Sequence, residues 1–190
     1  DSSPFKLRLT HLELSSLSKE GYRYKAGKTA RIMMSVYIGL TIAETICLLI
    51  AGMSPFDAVN HAMSTIATGG FSTRNTSIMH YDSTAIDLII TIFMALSAMH
   101  FGVIFTSFAK HSFKPLNNPV TKYYFSVIIM MTVIIASSLK LQGGYDSWGK
   151  SFLDSAFQTV SFLTTTGFGQ ADNSSWPLIA NALLIMASIH

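Results

Sequence analysis

Long apolar stretches alternate with short polar ones along this chain. Residues 32–51 are 20 positions with one charge, Glu44. Residues 88–109 are 22 positions without Lys, Arg, Asp or Glu, and residues 123–139 are 17 more. A helix crossing a bilayer core needs about 20 mostly apolar residues. The pattern predicts two spanning helices and a third that is short for the task. A fourth apolar run, residues 177–190, has 14 positions and is too short to cross. The expectation is a piece of a longer protein.

Two segments between these runs share a plan. Residues 54–67 read S-P-F-D-A-V-N-H-A-M-S-T-I-A, and residues 151–164 read S-F-L-D-S-A-F-Q-T-V-S-F-L-T. Each opens on Ser with Asp three positions later: Ser54/Asp57 and Ser151/Asp154. This predicts a helix start, with Ser as N-cap and an acid in the first turn. Pro55 suits the first helical position. Both half-length helices run into a glycine-bearing stretch, Thr68-Gly69-Gly70-Phe71 and Thr165-Thr166-Gly167-Phe168. At a constant offset of 97, Asp57/Asp154, Ser64/Ser161, Thr68/Thr165, Gly70/Gly167 and Phe71/Phe168 are identical. That period is too long for a solenoid. It fits a unit of span, re-entrant loop and span, repeated in parallel.

Composition and charge agree with a membrane protein. Hydrophobic residues make up 49% and charged residues 12%, about half the usual charged share, with a mean hydropathy of +0.41. A disordered chain is excluded. So is a disulfide scaffold, since Cys47 is the only cysteine. Residues 1–31 are polar and basic, without the apolar core of a secretory signal. Lys6, Arg8, Lys19, Arg23, Lys25, Lys28 and Arg31 precede the first run, and Lys110, Lys114 and Lys122 separate the second from the third. Only Arg74, Lys140 and Lys150 lie in the two re-entrant loops. The excess predicts a cytoplasmic N-terminus and a cytoplasmic 110–122 loop.

The loop pattern restricts the chemistry. Irregular backbone at membrane depth is tolerated only where protein buries it or it lines a water-filled cavity. A half-helix entering from outside points its negative end inward. Glycines let carbonyls turn in ways other residues resist. Rings of such carbonyls replace the hydration shell of a bare cation. The candidate ion-binding residues are therefore Thr68, Gly69, Gly70, Phe71, Thr165, Thr166, Gly167 and Phe168. Glu44 and His100 are ionisable groups inside spans. The structural reading makes His100 a helix–helix hydrogen bond and faces Glu44 to a neighbouring repeat or the outer vestibule. Asp82 and Asp87 could concentrate cations at the outer end of the second span. There is no H-E-x-x-H, G-x-S-x-G or phosphate-binding loop, so no enzyme is expected.

At residues 51–73 (A-G-M-S-P-F-D-A-V-N-H-A-M-S-T-I-A-T-G-G-F-S-T), residues 160–168 (V-S-F-L-T-T-T-G-F) and Trp176-Pro177, the chain resembles the Trk/Ktr/HKT superfamily of potassium transporters, most closely its TrkH branch. The resemblance covers residues 28–190. It implies the second and third of four span–loop–span repeats around one pore, with Gly70 and Gly167 at the positions linked to potassium preference. It implies an all-α polytopic fold: a cytoplasmic segment 1–27, a pore repeat 28–109, a cytoplasmic loop 110–122 and a second repeat 123–190, truncated in its last helix. Potassium is the implied ion, with no organic cofactor and no nucleic acid. Implied too are a lipid-embedded homodimer in the bacterial inner membrane and a cytosolic nucleotide-binding ring of the TrkA kind. A sodium or mixed-cation channel of the same architecture, and a non-conducting assembly subunit, stay open as alternatives.

The orientation can be tested in the full-length protein lacking Cys47. Cysteine at Ser77 should react with an impermeant thiol reagent from outside, and cysteine at Asn117 only from inside. The opposite pattern would overturn the assignment from basic residues.

Overall fold

The computed structural model describes residues 26–109, 115, 117–145 and 147–189. The described residues are helical, with no strand among them. Seven α-helices follow in order: α1 Ala26–Ile50, α2 Pro55–Ile66, α3 Thr84–Ser97, α4 Phe101–Ala109, α5 Pro119–Leu141, α6 Trp148–Leu163 and α7 Leu178–Ala187. Helices α1 and α5 are long and apolar enough to cross a membrane. At 1.5 Å per residue they extend about 38 and 35 Å. By the same measure α2 extends about 18 Å, a little over half a bilayer core, and α6 about 24 Å.

The first half-helix starts as its sequence predicts. The Ser54 hydroxyl accepts from the Asp57 N–H at 3.2 Å and Pro55 takes the first helical position. The second does not. Helix α6 begins four residues earlier than expected, at Trp148, capped by Ser147 in place of Ser151. Ser151 is no cap: its hydroxyl donates to the Ala136 carbonyl, 2.9 Å away, and ties α6 to α5. Asp154 therefore lies beyond the first turn of its helix.

Two spans differ from the hydropathy reading. The third is 23 residues rather than 17, because Asn118 caps α5 and Pro119 opens it ahead of the apolar run. The second, read as one helix over 88–109, is broken. Helices α3 and α4 meet at an angle of 105°. At the break the Ser97 hydroxyl donates to the Met94 carbonyl at 2.8 Å, competing with the backbone ladder. His100 then caps the next helix, its Nδ1 accepting from the Gly102 N–H at 3.1 Å. So His100 makes a local cap and not the expected helix–helix bond. The fourth run forms the ten-residue α7.

Packing follows the repeat. Helix α1 lies against α2 and α4, and α5 against α6 and α7. The join between repeats is α3 on α6. One apolar core, with Leu48, Ala58, Ile90, Met94, Phe157 and Phe168 among its members, draws on both repeats. Along α1 the buried stripe is Val36, Leu40, Glu44 and Leu48, one residue per turn. Met34, Ile38, Ile42 and Ile46 on its other side are apolar and exposed. A helix apolar all round belongs in lipid or against further protein.

Candidate functional site: two closed bends at the ends of half-helices

Each half-helix ends in the same hydrogen-bonded bend. After α2, the Thr68 N–H donates to the Thr65 carbonyl at 3.0 Å and the Gly69 N–H to the Ser64 carbonyl at 2.7 Å. After α6, the Thr165 N–H donates to the Phe162 carbonyl at 3.1 Å and the Thr166 N–H to the Ser161 carbonyl at 3.0 Å. Every donor and acceptor is shifted by 97 residues. This is the paired closure of a Schellman motif, which requires a left-handed residue just past the helix. The spans α1 and α5 close the same way on Gly52 and Gly143, at φ +93° and +74°. The half-helices put Thr68 and Thr165 there, at φ +50° and +56°. A β-branched residue in this region is an outlier, with strain of about 1–3 kcal/mol.

Two residues later the chain turns left-handed again, at Gly70 (φ +66°) and Gly167 (φ +85°). The bends touch here. An atom in the Cβ position of Gly70 would overlap the Thr166 carbonyl, so only glycine fits. The Cβ position of Gly167 meets no atom within 4 Å. Serines inside each half-helix hold the emerging strand: Ser64 accepts from the Phe71 N–H at 2.7 Å, and Ser161 donates to the Phe168 carbonyl at 2.8 Å. Of the eight candidate residues, Gly70, Thr166 and Gly167 come together. The two phenylalanines part company: Phe168 is buried against His61, ring centroids 5.9 Å apart, whereas Phe71 is 80% exposed.

Asp57, in the first turn of α2 as expected, and Asp154, beyond the first turn of α6, both clasp the chain leaving each bend. Asp57 accepts from the Thr73 hydroxyl at 2.6 Å and from the Arg74 guanidinium at 2.7 Å. Asp154 accepts from the Gln170 amide at 2.9 Å and the Tyr145 hydroxyl at 2.7 Å. Gln170 stands where Thr73 stands, 97 residues on, and also donates to Asp87 at 3.0 Å. His61, fully buried, bridges the Asp57 carbonyl (2.7 Å) and the Ser72 hydroxyl (2.9 Å). Asp82, Asp87 and Asp154 line one open cleft together with Lys150. The sequence reading did not identify His61, Tyr145, Ser72, Thr73, Arg74 and Gln170. The one available signal was their position, 16 or 17 residues past the aspartates for the last three. Glu44 is fully buried on α1 and does not open to a vestibule. Among the described residues no cluster of His, Cys, Asp and Glu could hold a metal ion.

The TrkH family, described as cation transport proteins, matches residues 6–189. The Trk system potassium uptake protein TrkH of Vibrio parahaemolyticus is 35% identical over 167 residues, covering 86% of this chain and 34% of that protein. TrkH of Escherichia coli is 34% identical over 167 residues (87% and 35%), and TrkG of the same organism 35% over 162 (84% and 33%). The crystal structure of the Vibrio parahaemolyticus potassium transporter TrkH superposes with a TM-score of 0.81 at 35% identity, over 85% of this chain and 35% of that one. The chain thus spans about a third of the length of these relatives.

The clasp on the first bend has a pH signature. Hydrogen bonds from Thr73 and then Arg74 hold the Asp57 carboxyl well below the usual aspartate range. A depressed folded value means stability that is complete above the ordinary aspartate pKa of about 3.9 and is lost as pH falls below it. In detergent, the thermal midpoint of the full-length protein should drop more steeply on acidification than that of Asp57→Asn. Equal slopes would remove the clasp from the account.

Proposed function

The chain belongs to the TrkH family of cation transport proteins, and from that premise we propose that it forms part of a potassium-selective transmembrane pathway. The two bends are its selectivity filter. Carbonyls of residues 68–71 and 165–168 take the place of water around a dehydrated potassium ion. The observation that carries this reading is the double use of strained threonine. The same chain closes α1 and α5 on unstrained glycine, so its half-helices could have done so too. Strain maintained at equivalent places in two repeats points to a site where backbone direction matters more than stability. The names of the relatives, potassium uptake proteins, point to the ion.

By the same reading the protein resides in the bacterial inner membrane as a homodimer. It binds a cytosolic nucleotide-binding ring of the TrkA kind on its cytoplasmic side. These partners rest on the family resemblance. Further repeats complete the ring of carbonyls, since two bends cannot surround an ion.

Rescue of a potassium-uptake-deficient bacterium by the full-length gene tests the function. Substitutions test the filter. Gly167→Ser meets open space but must hold a left-handed backbone, a strain of about 1–3 kcal/mol. Potassium-over-sodium preference should fall roughly five- to a hundredfold. Gly70→Ser adds a collision with the Thr166 carbonyl and should act in the same direction more severely. Gly102 is no control, because its Cβ position lies 3.0 Å from the His100 ring at the α3–α4 break. Gly39, with nothing within 4 Å, is one, and Gly39→Ser should leave preference unchanged. Wild-type selectivity in both filter variants would refute the assignment.

A further inference from the structure

The strand that leaves the second bend is held by the first repeat. Gly169, the residue after Phe168, has both of its backbone groups bound by the short 3₁₀ turn Ser77–Tyr81. Its N–H donates to the Ser77 hydroxyl at 3.2 Å, and its carbonyl accepts from the Ile78 and Met79 N–H groups at 3.0 and 3.3 Å. Gln170 then donates to Asp87, in the first turn of α3, as well as to Asp154 of its own half-helix. Ile78 and Asp87 are buried, and Ile78 shares the apolar core with Phe168. The arrangement is one-sided. The strand leaving the first bend finds its partners, Asp57, His61 and Ser64, in its own half-helix.

Ser77 sits at φ +55°, in the left-handed region that glycine adopts freely and serine seldom does. Glycine at 77 would relax the backbone but leave the Gly169 N–H without its acceptor. A strained residue whose side chain holds the chain beside a candidate site points to a use. We propose that Ser77 and Asp87 are positioning residues for the second bend: the first repeat fixes the leaving strand at Gly169 and Gln170, and through it the direction of the carbonyls of residues 165–168. The two bends are thereby set as one unit rather than repeat by repeat. This rests on the reading of residues 165–168 as part of a potassium filter.

The test uses the full-length protein, with potassium and sodium uptake measured in vesicles and thermal stability in detergent. Ser77→Gly should leave the unfolding temperature nearly unchanged, because relief of the left-handed strain offsets the lost hydrogen bond. The same variant should lower potassium-over-sodium preference by roughly two- to thirtyfold. Ser77→Thr keeps the hydroxyl on a backbone that Thr68 and Thr165 already adopt, and should keep wild-type preference. Asp87→Ala, which removes the Gln170 acceptor, should lower preference as Ser77→Gly does, and Asp87→Asn, which retains an acceptor oxygen, should not. This second pair serves if Ser77→Gly does not fold. Wild-type preference in Ser77→Gly or Asp87→Ala, where Gly167→Ser has lost it, would overturn this inference alone. So would a Ser77→Thr variant no better than Ser77→Gly, or Asp87→Asn no better than Asp87→Ala. Wild-type preference in both Gly167→Ser and Gly70→Ser would overturn the filter reading, and this inference with it.

Discussion

A chain that turns back inside a bilayer has no water to satisfy the carbonyls and amides it exposes. Everything else in this structure depends on how that demand is met. The solution is local at first: two backbone hydrogen bonds close each half-helix, and a serine one or two turns back catches the strand that leaves it. The closure forces the next residue into left-handed space, which bends the chain away from the helix axis. Helices α1, α3, α5 and α6 then supply the protein wall that such backbone requires. The core shared by both repeats, with Phe168 packed on His61, fixes the bends against each other.

Placing threonine where glycine would relax shows that stability was not the quantity being maximised. The spans of this chain carry the comparison within themselves, since they end on the same motif with Gly52 and Gly143. A hydroxyl at the strained position supplies an oxygen that glycine lacks, and a Cβ that stiffens the turn. On the filter reading proposed above, a flexible turn would let the carbonyls relax around a smaller ion. A stiff one holds them at one spacing.

The sequence showed most of the architecture because the constraints involved are severe. Hydropathy located the spans, for want of any other way to cross lipid. The repeat at 97 residues was visible at Thr68/Thr165 and Gly70/Gly167, where backbone conformation leaves few acceptable residue types. What was not legible depends on choices between hydrogen-bond partners. Ser147 and Ser151 are equally good helix starters on paper, and only the nearby Ala136 carbonyl decides that Ser151 does something else. The break after Ser97, residues 98–100, contains neither proline nor glycine. It arises from a serine and a histidine competing with the helix ladder, which hydropathy does not register. The clasps escaped notice because Thr73 and Gln170 occupy equivalent places with different chemistry, and a search for identities passes over them.

That difference in chemistry makes the two halves respond unequally to the medium. The first bend is clasped by an ion pair whose arginine side chain is 42% exposed. Ions in solution screen such a pair over about 8–10 Å at physiological strength and more closely in brine. The second bend is clasped by Tyr145 and the Gln170 amide, neutral donors on a buried carboxylate, which dissolved salt hardly touches. Rising ionic strength therefore weakens one of the two side-chain donors on Asp57, leaving the Thr73 hydroxyl, and hardly affects those on Asp154, so the two bends differ in their sensitivity to salt.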